Sequence, residues 1–80
     1  MAKKILKSKI DLYIIEQVKN RRNYLDIHQD DLAIHLDVSP SYISHIESPY
    51  QRAKYNSIQL NELARLLKCS PRDFWPDKPL

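Results

Sequence analysis

Apolar residues along this chain recur at helical intervals, and alternation at period two is nowhere sustained. Ile10, Ile14 and Val18 fall on one face at every fourth position, with Ser8 and Asp11 ahead of them in the spacing of a capping pair; a first helix is expected over about residues 9 to 23. Leu12, Tyr13 and Ile15 add more apolar surface than one helix face needs to bury, and they read either as a wide core stripe or as a surface for self-association. Leu32, Ala33 and Leu36 form the inward stripe of a second helix over residues 29–36, with Asp30 and Asp31 in its first turn, where the helix dipole favours negative charge. Ile43 and Ile46 do the same for a third over residues 40–48, opened by Ser39 as cap and by Pro40 at the first helical position, where a missing N–H costs nothing. Leu60, Leu63, Ala64 and Leu67 line a fourth, capped by Asn56 with Gln59 three residues on, and Tyr55 is placed to staple against Leu60. Ser70, Pro71 and Asp73 repeat the capping grammar and predict a short fifth helix carrying Phe74 and Trp75, stopped by Pro76 and Pro79.

The pattern is therefore all-α, and composition narrows it further. The chain contains no glycine, which excludes glycine-rich phosphate loops, nucleophile elbows and dinucleotide fingerprints and argues for helices with short connections. Eighty residues suffice for one small domain with one modest core. The expected division is a basic N-terminal arm over 1–8, a helical domain over 9–76 and a short tail over 77–80. No apolar run approaches the ~18 residues of a membrane span, the first residues lack the apolar core of a signal peptide, and the lone Cys69 has no internal disulfide partner. A cytoplasmic location is expected.

Residues 29–48 place two short helices on either side of a very tight turn, with the small Ala33 where they would cross. This is the layout of a helix-turn-helix, whose second helix suits the DNA major groove. The stretch resembles the phage-repressor and Cro-type (XRE-like) family, in which Gln-x-x-Leu-Ala-x-x-Leu is followed by a turn and then Val-Ser-x-x-x-Ile-Ser-x-Ile-Glu. Each fixed position is filled, by Gln29, Leu32, Ala33, Leu36, Val38, Ser39, Ile43, Ser44, Ile46 and Glu47. The likeness continues through Leu60, Leu63, Ala64, Leu67, Ser70 and Pro71 and covers roughly residues 10 to 75. It implies a compact five-helix, lambda-repressor-like domain acting as a bacterial or phage-encoded transcriptional regulator, with repression the expected sign. It also implies a homodimer on a partly palindromic operator with half-sites about one helical turn apart. Asp26 and Asp37 stand where the family usually has glycine; Asp tolerates the left-handed backbone better than most residues, at a cost on the order of 1 kcal/mol each. Ser48-Pro49-Tyr50 replaces a glycine-containing loop and leaves the course of residues 49–55 open.

With Ile43 turned inward, Ser41, His45 and Ser48 point away from the core and Tyr42 and Ser44 flank them. Ser41, Tyr42, Ser44 and His45 are the candidates for contact with base edges. Hydroxyls and a neutral imidazole offer a permissive code, and no Arg stands on this helix to grip guanine, so DNA shape would carry part of the readout. The bland alternative is a solvated helix face. Candidates for phosphate contact are Gln29 and Ser39 at helix N-termini and Gln51, Arg52 and Lys54 after the third helix. The resemblance implies a structural ion pair between Arg22 and Glu47, although Arg21 and Arg22 could instead reach phosphate.

Net charge is +3, unevenly spread: residues 1–28 carry seven Lys/Arg against three Asp/Glu, and residues 29–80 carry six against seven. A basic front favours nucleic acid through counterion release, or simply keeps the chain soluble. Lys3, Lys4 and Lys7 belong either to a flexible arm or to an extension of the first helix. Ser41 and His45 at i, i+4 lack an orienting acid or oxyanion loop, so no enzyme is expected. His28, Asp31 and His35 resemble a metal comb, but His28 falls outside the helix and no fourth ligand accompanies them, so no metal or cofactor is expected. Cys69 should pack near Phe74 as a small hydrophobe. Two other partners stay open: a toxin protein, if this is an antitoxin-like module that also binds DNA, or a different protein, if the fold has lost DNA binding.

Overall fold

Val18, Leu32, Ile43, Ile46, Leu63 and Leu67 are fully buried, and they converge from four helices on one core. A computed structural model describing residues 3–80 places these helices as α1 (Lys9–Tyr24), α2 (Gln29–Leu36), α3 (Pro40–Glu47) and α4 (Ser57–Leu66). The expected caps form. The Ser8 hydroxyl accepts from the Asp11 N–H, Ser39 from Tyr42, and Asn56 and Gln59 bond each other's backbone N–H groups at 2.8 and 2.9 Å. On α1 the wide apolar stripe is largely core: Ile14, Ile15 and Val18 are buried, while Leu12 and Tyr13 are half-buried.

The fifth helix is shorter than expected. It is a four-residue 3-10 turn, Pro71–Phe74, with Ser70 and Asp73 in a reciprocal cap. Trp75 precedes Pro76, and that neighbour disfavours helical backbone; Trp75 is accordingly extended, at φ −97° and ψ 149°. One buried ring, Phe74, still docks on α1 and α4, and Trp75 stays 43% exposed. Among the described residues there are thus four α-helices and one 3-10 helix.

Helix ends have to be closed without glycine. Asp26 and Asp37 take the left-handed conformation at the two expected positions, and Lys68 takes it after α4 at a third that sequence did not suggest. In each case an amide just beyond bonds back into the helix: Ile27 N–H to Arg22 O at 2.8 Å, Val38 N–H to Ala33 O at 3.0 Å and Cys69 N–H to Ala64 O at 3.0 Å. Ahead of Ser8, residues 3–7 do not extend α1. They run past the end of α3, where the Leu6 N–H donates to Pro49 O at 2.9 Å. Met1 and Ala2 of the expected arm lie outside the described residues. No described helix is long and apolar enough to cross a membrane.

The core contains one polar misfit. Tyr55 is buried, and its hydroxyl has no hydrogen-bond partner among the described residues; burial raises the phenol's pKa. Tyr55→Phe is expected to raise stability by about 1 kcal/mol, because it removes a desolvated hydroxyl and keeps the ring. Leu63→Ala, at a fully buried position, should lower it by about 3 kcal/mol. Urea unfolding checks both, and a Tyr55→Phe protein less stable than wild type would show that the hydroxyl is satisfied.

Candidate nucleic-acid interface

The α2–turn–α3 unit is built from short pieces held close. Ala33, 2% exposed, lets the helices approach, and Asp37 in the left-handed region turns the chain within three residues. Ile43 and Ile46 then seat α3 in the core, so Ser41, Ser44 and His45 are exposed on its far side. Tyr42, also expected at the DNA face, is half-buried and packs against the core with part of its ring. The Ser39 and Ser41 hydroxyls lie 3.1 Å apart at the N-terminus of α3, so the cap and the first outward side chain form one polar group.

The position of α3 is fixed by a buried ion pair. Arg22 Nε and Nη2 each donate to Glu47 at 2.7 Å, in the bidentate geometry natural to guanidinium and carboxylate. The remaining Nη1 reaches Asn23 Oδ1 at 3.0 Å and Ile27 O at 3.2 Å. Gln29 Nε2 joins by donating to Glu47 Oε1 at 2.9 Å. Both charged side chains are at most 10% exposed. Burial pushes the Glu47 carboxyl pKa up, but hydrogen bonds from Arg22 and Gln29 and the Arg22 charge outweigh it, so the net shift is below the ordinary 4.5. Arg22, expected either in a structural pair or at phosphate, has its guanidinium engaged here by Glu47, Asn23 and Ile27. Gln29, expected at phosphate, has one amide N–H committed to Glu47 and a second remaining.

Two cations missed by the sequence reading close helix ends. Arg21 Nε donates to Leu67 O at 2.9 Å and its Nη2 to Lys68 O at 3.1 Å, so this side chain caps α4. Lys7 Nζ does the same beyond α3, donating to the carbonyls of His45, Ser48 and Gln51. The total absence of glycine was the available signal, since helix ends without it need other partners for their last carbonyls.

After α3, Gln51 and Arg52 are exposed. Lys54 Nζ lies 3.4 Å from Asp11 Oδ2 in a solvent-exposed pair, the kind that contributes little and is readily exchanged. Lys3 Nζ sits 5.2 Å from the centre of the Tyr50 ring, which brings the basic N-terminal segment beside this loop. The His28, Asp31 and His35 comb does not assemble: Asp31 Oδ2 accepts from the His28 backbone N–H, and His35 Nε2 bonds Glu62 O at 3.0 Å. Among the described residues no group of three His, Cys, Asp or Glu side chains is placed to hold a metal ion. Cys69 is half-buried and lines a shallow surface depression with Phe74, Arg21 and Asp73; burial raises its pKa against the opposing charge of Arg21.

No family model and no curated protein matches this chain. Solved structures do. Apo-HppE matches with TM-score 0.71 and 22% identity over 85% of this chain and 37% of that one. FeII HppE in complex with substrate gives 0.69 and 23% over 82% and 36%. The restriction-modification controller protein C.AhdI from Aeromonas hydrophila gives 0.66 and 21% over 81% of this chain and 97% of that one. The chain thus spans little more than a third of the HppE chains and is similar to nearly the whole of C.AhdI. At these identities the likeness establishes the fold.

Because the Glu47 carboxyl is held below its ordinary value, its stabilising contribution is present above pH 4.5 and lost as pH falls through the folded-state value. Glu47→Gln should cost about 3 kcal/mol at neutral pH, since it strands the Arg22 charge. The gap between wild type and variant should narrow in acid. Chemical denaturation at a series of pH values tests this; a gap independent of pH would mean that the pair does not titrate as described.

Proposed function

We propose that this chain is a sequence-specific DNA-binding transcriptional regulator, acting as a cytoplasmic repressor of the XRE-like type and inserting α3 into the major groove. The observation that carries this reading is the division of α3 into two faces. Ile43, Ile46 and Glu47 lock one side to the body, and Ser41, Ser44 and His45 are exposed on the other. A two-turn helix held this way presents side chains of groove-reading size on a rigid base. The fold shared with a controller protein over nearly its full length supports it.

On this reading Ser41, Ser44 and His45 meet base edges, and Tyr42 contributes from the rim of its half-buried ring. Phosphates flanking the groove are met by the second amide N–H of Gln29, by the Ser39 end of α3, and by Gln51, Arg52 and Lys54, the last exchanging Asp11 for phosphate. Two copies then bind a partly palindromic site with half-sites about one helical turn apart. No catalytic step is assigned to any residue. Ile34 and Ile58, 79% and 75% exposed, favour a second reading as a protein-binding module, antitoxin-like or free of DNA.

Selection from random duplexes followed by titration against salt tests the proposal. A selected sequence should outbind random DNA by at least a hundredfold, with a log–log salt slope of about −3 to −4 if two copies each use Arg52 and Lys54. Changing Ser41 and His45 together to alanine should cut the preference about tenfold or more. Failure to select any sequence would refute the regulator reading and leave the protein-binding one.

A further inference from the structure

A helix of eight residues ends with as many unpaired carbonyls as a long one, and α3 ends where no glycine is available to turn the chain back on them. Ser48 leaves the helix in extended conformation, and a turn follows in which the Gln51 N–H bonds Ser48 O at only 3.4 Å. The carbonyls of His45, Ser48 and Gln51 all converge on one atom, Lys7 Nζ, at 3.3 Å for His45 and 2.5 Å for Gln51. An ammonium has three N–H donors, and here each has a carbonyl. Lys7 is 9% exposed and comes from a segment some forty residues away in sequence, itself pinned by the Leu6 N–H to Pro49 O. A cation at a helix C-terminus also meets the negative end of its dipole. Burial lowers the pKa of this ammonium while Asp11 raises it, in keeping with a desolvated charge held by backbone oxygen.

We propose that Lys7 is the positioning residue for sequence recognition: its ammonium ties the last turn of α3 to the turn over residues 48–51, and so sets His45 against the bases and Gln51 and Arg52 against the flanking phosphates in one register. This rests on the DNA-reading role of α3 proposed above. Lys7 itself touches no DNA, because all its donors are consumed inside the protein. The N-terminal segment is therefore a strut of the interface, and its most buried lysine acts through the backbone of the loop.

The test uses the full chain with Lys7→Met, which keeps the stem and removes the donors, and Lys9→Met as a charge-matched change at an exposed neighbour. For each, the ratio of affinity for the selected sequence to affinity for random DNA is measured, together with hydrogen exchange of the amides over residues 50–52. Lys7→Met should lower the ratio about tenfold and speed exchange in that loop at least tenfold, while amides in the middle of α1 and α4 keep wild-type rates. Lys9→Met should leave the ratio within twofold. An unchanged ratio in Lys7→Met overturns the proposal, whatever the exchange shows. A wild-type protein with no preference removes the DNA-reading role together with this one, and the wild-type arm alone identifies that outcome. Should Lys7→Met fail to fold, the Lys7 ammonium is observed directly in the wild-type protein by nitrogen NMR. A separate, slowly exchanging signal that shifts when the selected DNA binds supports the role, and a signal averaged with the exposed lysines overturns it.

Discussion

The angle at which α3 lies on the core depends on the Arg22–Glu47 pair. Eight residues make barely two turns, too few for a helix to persist on its own, and α3 has only Ile43 and Ile46 as fully buried anchors. Two anchors on adjacent turns fix a seat but leave the helix free to roll about the line joining them. Glu47 supplies the third point, gripped on both oxygens by a guanidinium from α1 and on one by the amide that opens α2. The same guanidinium holds Ile27 O in the connection between α1 and α2, so one side chain ties three segments together, and Gln29 adds α2 through Glu47. Burying such a pair adds little net stability over an apolar contact, and breaking it is expensive because a charge is left behind. Its contribution is to angle, and angle is what a groove-reading helix needs.

The lack of glycine explains a second feature, the uneven charge. A surplus of Lys and Arg in the first 28 residues reads naturally as attraction to nucleic acid, yet three of those cations are engaged by groups within the protein. Lys7 closes α3, Arg21 closes α4, and Arg22 neutralises Glu47. What remains outside includes Lys3, Lys4 and Lys9, of which Lys3 sits against Tyr50 beside the loop that follows α3. Where other chains end helices with a flexible left-handed residue, this one uses Asp26, Asp37 and Lys68 in strained backbone and long basic side chains reaching across the molecule. Such closures are stiffer than glycine and bind distant parts of the sequence to one another.

The starts of α1, α3 and α4 were legible in the sequence because apolar period and capping grammar agree at each one, as at Asn56 and Gln59. Asp26 and Asp37 were legible through the resemblance, which puts glycine at both positions, and Asp is among the few other types that tolerate positive φ. The 3-10 turn was not, since the cap of Ser70 and Asp73 is the same for both helix types and the decision lies with Pro76 beyond it. The absence of glycine signals that helix ends need other partners, but that Arg21 and Lys7 supply them, and that Gln29 engages Glu47, was not legible, for a different reason. Each is a contact between residues 18 to 47 positions apart, and neither period nor motif encodes where a long polar side chain ends. The face of α3 followed from its period, while the partial burial of Tyr42 depends on how α3 lies on its neighbours.

The measurement that bears most directly on the account is an amide NMR titration of the protein with a selected DNA duplex. The account predicts that shifts concentrate on residues 39–45 and 50–54 and on Gln29, with the buried centre of α1 unaffected. Shifts centred instead on the depression formed by Tyr13, Arg72 and Trp75, or around Ile34 and Ile58, would contradict it, because they would place the binding face away from the exposed side of α3.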